Sequence, residues 1–150
     1  MDQMNATPAD AKLILKLYDL RREPVMRQAR AFMASFMPKS ADDVMKLAYA
    51  YGTAENAYFR QVVGYWEMAA SLALHGAVHE GLFLDNAGEM FFTYAKFAPY
   101  LAELRSKLGS AEFLGKCEAF ITRTPESQAR LQAMIERQKK IAERMAQAGK

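Results

Sequence analysis

Apolar residues along this chain recur every three to four positions, and strict alternation is absent. Leu13, Ile14, Leu17 and Tyr18 form one such series, and Val25, Met26, Ala29, Phe32, Met33 and Phe36 form the next. That period lines one face of an α-helix, whereas a half-buried strand would alternate. Val44, Met45, Leu47, Ala48 and Tyr51 continue the pattern. Two later stretches, Tyr58 to His75 and Glu89 to Leu104, are apolar around most of a helical circumference, which predicts that both lie largely inside. In the last series Leu131, Met134, Gln138, Ile141, Met145 and Ala148 alternate steps of three and four, a short seam with one polar position.

Start and stop signals divide these series. Thr7-Pro8-Ala9-Asp10 supplies a cap, a proline at the first helical position and an acid at the third. Pro24 interrupts the first series, and the second stops before Pro38. Ser40 and Thr53 cap the next two helices, and Gly76 ends the second of them. Asn86-Ala87-Gly88-Glu89 opens a helix that Pro99 should kink and Gly109 should end. Ser110 opens a shorter one through about Thr122, and Thr124-Pro125 opens the last. The expectation is an all-α, single-domain, compact helical bundle of about six helices over residues 1–150. An antiparallel hairpin of the 54–75 and 86–108 helices lies at its centre, and 124–149 is a basic amphipathic C-terminal helix free to protrude.

Composition supports this and removes other classes. With 150 residues, 51% of them hydrophobic, the chain can bury a core without disulfides or metal, and a charged share of 25% is ordinary for a globular protein. The single cysteine, Cys117, excludes a disulfide-stapled scaffold and reads as a small core residue. No basic-then-apolar leader opens the chain and no window of about 18 apolar residues occurs, so a membrane span is not expected and the cytoplasm is. The net charge of +3 is uneven: from Arg123 onward seven basic residues face three acids, and the remainder is slightly acidic. Arg130, Arg137 and Arg144 recur every seven residues in that last helix. Glu136 and Glu143 interrupt the basic run and no aromatic side chain accompanies it, which argues against nucleic acid.

Candidate chemistry lies on narrow polar rows in the two apolar helices. The first row is Arg60, Gly64, Glu67, Ser71 and His75; the second is Glu89, Thr93, Lys96 and Glu103. An antiparallel hairpin centred near Val78 would set Glu67 level with Glu89 and Arg60 level with Lys96. Facing like charges would need a shared proton or a bound ion, so the rows either point outward or define a site. Arg60, Trp66, Glu67, His75, Glu89 and Lys96 are therefore the candidate binding residues. No Glu-x-x-His spacing supports a carboxylate metal site, so no metal or cofactor is implied. His75 and His79 flank Gly76 and read as loop or cap residues, and no nucleophile elbow, phosphate loop or zinc spacing occurs.

The segments Tyr65-Trp66-Glu67-Met68-Ala69-Ala70-Ser71, His75-Gly76-Ala77, Gly88-Glu89-Met90-Phe91-Phe92 and Tyr94-Ala95-Lys96-Phe97 resemble the DUF4760-like group of short bacterial all-helical proteins. The likeness runs from about Thr7 to Ile121. It implies the helical fold and carries no activity. Without catalytic signatures, the favoured reading is a non-enzymatic helical interaction module. It would contact a protein partner or a second copy, as a homodimer, through Leu131, Met134, Ile141 and Met145. The alternative is a small-molecule binder or enzyme with its pocket at the central hairpin.

Overall fold

The computed structural model describes residues 4–150. Among them are nine α-helices and no strand: α1 (Pro8–Arg21), α2 (Pro24–Ser35), α3 (Ala41–Ala48), α4 (Ala54–Leu74), α5 (Glu80–Asp85), α6 (Gly88–Phe97), α7 (Leu101–Leu108), α8 (Gly115–Ile121) and α9 (Pro125–Ala148). A 3-10 turn, Ala98–Tyr100, joins α6 to α7.

The cap signals work locally as their chemistry requires. The Thr7 hydroxyl accepts the Asp10 N–H, and the Asp10 carboxylate takes the Thr7 N–H at 2.7 Å. That bond from Thr7 holds the Asp10 carboxyl below its usual range. The second oxygen of Asp10 accepts the His79 N–H at 2.8 Å, which ties the start of α1 to the start of α5. Ser40, Thr53 and Thr124 accept the N–H three residues ahead of each, satisfying donors that an uncapped helix leaves open.

Three boundaries differ from the sequence expectation. The helix expected over 86–108 is α6, a turn and α7, because Pro99 has no N–H to give the Ala95 carbonyl. The short α5 was not expected; His79 caps it by accepting the Leu82 N–H through Nδ1 at 3.1 Å. The segment after Ser110 turns before it becomes helical at Gly115, through a left-handed Leu114 at φ 56°. A leucine in that conformation costs about 1–2 kcal/mol, offset by burying its side chain, which is 1% exposed.

α4 crosses the molecule with α2 on one side and α8 on another, while α6 lies along α9. The two most apolar helices thus take different principal neighbours. A contiguous core runs from Leu17 of α1 through Val62 and Trp66 of α4, Phe91 of α6 and Ile121 of α8 to Leu131 of α9. Phe83 and Phe120 meet edge to face within it at 5.1 Å. The first half of α9 is held against the rest of the chain: Leu131 is buried, the Gln138 amide donates to the Phe92 carbonyl, and Arg130 donates to the Leu84 carbonyl at 2.9 Å. From Glu143 onward α9 is exposed. No helix among the described residues is long and apolar enough to cross a membrane.

Candidate functional site

The six residues singled out in the sequence go to separate places. Glu67 turns to the start of α8, where its carboxylate accepts the Cys117 N–H at 2.8 Å and the Lys116 N–H at 3.2 Å. Glu89 instead receives the Arg30 guanidinium of α2 on both oxygens, with the closest ion-pair distance 2.8 Å. Each carboxylate is spent on a different partner, so the level pair drawn from an ideal hairpin is not a joint site. Burial of both helices against third elements redirected the two side chains. Arg60 is exposed and donates to Asn56 Oδ1 at 3.0 Å, and His75 is exposed at the C-terminal end of α4. Trp66 is core, 2% exposed, with the Arg21 guanidinium 5.2 Å from its ring. Its indole N–H and Arg21 Nε, both buried, have no partner in the protein.

Lys96 is the exception. It is 3% exposed, and it has no carboxylate partner among the described residues. Its Nζ donates to the Phe36 carbonyl at 2.9 Å, lies 3.6 Å from Met37 Sδ and stands 4.2 Å from the centre of the Phe92 ring. These partners soften the loss of water around an ammonium without neutralising it. Burial therefore pulls the Lys96 ammonium down to about 8.

Lys96 lines a groove of about 450 Å3 between α6, α9 and the connection from α2 to α3. Its apolar walls include Met37 and Pro38 from the connection, Pro99 after α6, and Ile135, Ala142 and Met145 from α9. Tyr100 braces one end by donating to the Pro38 carbonyl at 3.3 Å. Lys39 and Lys139 are the other charged residues of the lining, and no acid belongs to it. Pro99 contributes twice, by ending α6 and by presenting its ring where a continuing helix would run.

The apolar seam residues of α9 divide along the helix, and of them Met145 reaches the groove. Leu131 is buried and Met134 half-buried against the core, whereas Ile141 is half-buried and Met145 is 48% exposed. The sequence marked Lys96 as one member of a polar row and as one of six candidate binding residues. A lysine among Phe91, Phe92, Tyr94 and Phe97 was the available signal, but the surrounding groove comes from segments about 40 and 60 residues away.

Other reactive groups are quiet. Burial pushes the Cys117 thiol far up, and the neighbouring Glu67 carboxylate adds to it, so the thiolate is suppressed. Burial likewise pushes the Tyr65 hydroxyl up to about 12, and it donates to the Leu17 carbonyl at 2.7 Å. No cluster of three or more His, Cys, Asp or Glu side chains suited to a metal occurs among the described residues.

A family profile described as domain of unknown function (DUF4760) matches residues 6–124, and the chain belongs to that family. No curated protein and no solved structure matches it. The matched stretch carries α1 to α8, and α9 lies beyond it. The groove forms where α9 packs on the family region.

Proposed function

We propose that this member of the DUF4760 family is a non-enzymatic binding module whose groove beside α9 takes up a small molecule with an apolar body. The observation that carries this reading is the groove itself. Its volume of about 450 Å3 falls in the range of small-molecule pockets, and its walls are apolar with few polar groups among them.

The test is a thermal-shift screen with short-chain alkyl compounds on the protein and on Ala142→Trp. Ala142 is half-buried on the groove wall, so an indole there fills the groove without entering the core. Ligands that bind the native state raise the melting temperature by mass action. The expected result is a rise in the native protein that the Trp variant abolishes. No rise with any compound would end this reading.

A second reading is favoured by Met145, whose side chain stands exposed beside half-buried Ile141. There a second copy of the chain covers the outer half of α9, as a homodimer. Sedimentation velocity separates the two: a dimer broken by Ala142→Trp supports self-association, and a monomer at high concentration removes it. Either form is proposed to work in the cytoplasm, where a lone buried thiol is stable without oxidation.

A further inference from the structure

Resting on the groove reading above, we propose that the occupant is an amphiphile with one anionic head, in its simplest form a medium-chain monocarboxylate, bound with its head at the Lys96 ammonium. The charge pattern carries this. The part-buried arginines Arg30 and Arg105 are answered by Glu89 and Glu118, at 2.8 and 3.1 Å. Lys96 is buried more deeply and is met only by a carbonyl, a thioether and a ring. An ammonium removed from water without a counter-charge is costly, and a carboxylate brought to it forms a charge-assisted hydrogen bond in a poorly hydrated setting.

The rest of the lining agrees on sign and shape. Every charged side chain that lines the groove is basic: Lys39 from the α2–α3 connection, Lys139 from α9 and Lys96 itself. On α9, Glu136 pairs with Lys139 at 3.3 Å. An alkylammonium would meet three like charges. A dianionic head such as a phosphate monoester would find one ammonium at the base and leave its second charge to exposed rim lysines. One negative charge matches one buried positive charge. The walls of Met37, Pro38, Pro99, Ile135 and Met145 then take the hydrocarbon.

The titratable groups that line this groove together with Lys96 are Tyr100, Lys39 and Lys139. Below pH 8 the ammonium is charged; above it the carboxylate loses its counter-ion, so affinity falls with rising pH.

The experiment is isothermal titration with octanoate, octanol and octylamine, each below its micellar concentration, on the native chain and on Lys96→Met. The expected order at pH 6.5 is octanoate above octanol by about tenfold or more, with octylamine weakest. Lys96→Met should erase that advantage and leave octanol binding in place. Octanoate should bind the native chain about tenfold more weakly at pH 9.5, an arm that needs no variant. If octanol binds as well as octanoate at both pH values, the anionic head is overturned while the groove reading stands. If none of the three binds, both fall.

Discussion

Lys96 shows what one residue's surroundings do to its charge. Its ordinary value is 10.5 and burial brings it down to about 8. Between those two values the unfolded chain holds a proton that the folded chain has released. Stability from this group therefore rises with pH through that window, and the penalty is fully present below pH 8. Lys96→Met removes the charge and keeps most of the length, at the cost of the Phe36 carbonyl bond. The variant's stability relative to the native chain should thus be greatest at pH 7 and decline by about 2–3 kcal/mol by pH 10. In the unfolded chain Cys117 and Tyr65 also release protons near that range, but both are present in each protein and cancel in the difference. Urea unfolding of both proteins at the two pH values checks this; a difference independent of pH would mean that Lys96 is not held as described.

At the scale of the element, most of what forms each helix was legible in the sequence. The Thr7, Ser40, Thr53 and Thr124 caps act within three residues, so no distant contact is needed to read them. Thr124→Ala removes the hydroxyl that accepts the Ser127 N–H at 3.1 Å, and should lower stability by about 1 kcal/mol, measured by urea denaturation. Thr124→Ser keeps the acceptor and should cost far less. Boundaries that depend on the rest of the molecule were not legible. Leu114 adopts a left-handed backbone that its own chemistry disfavours, because the core takes its side chain. The α8 start also uses Glu67, a residue about fifty positions earlier, to hold its free N–H groups.

Over the whole molecule, α9 is both a structural cover and a groove wall. A chain ending at Arg123 would lose Leu131 from the core, the Gln138 bond to Phe92 and the Arg130 guanidinium that stands 4.3 Å from the Phe91 ring. It should lose at least about 2 kcal/mol of stability. A chain ending at Lys140 keeps those contacts and removes Ala142, Met145 and Ala146 from the groove. It should melt cooperatively near the native temperature and fail to respond to alkyl ligands. Circular-dichroism melts of both truncations decide this, and an unchanged melt for the shorter chain would show that α9 is not part of the stabilising core.

The sequence by itself determined the all-α class, most helix starts and the helical character of 125–148, since hydrophobic period and capping are properties of neighbours three or four positions apart. The tertiary structure alone decided which faces meet. It sent Glu67 to α8 and Glu89 to Arg30, and it set Lys96 against a carbonyl 60 positions away. The physical reason is that side-chain partners in a helical bundle follow from how whole helices cross. A polar residue on an apolar helix announces that some partner is needed, and only the packed neighbour says which one.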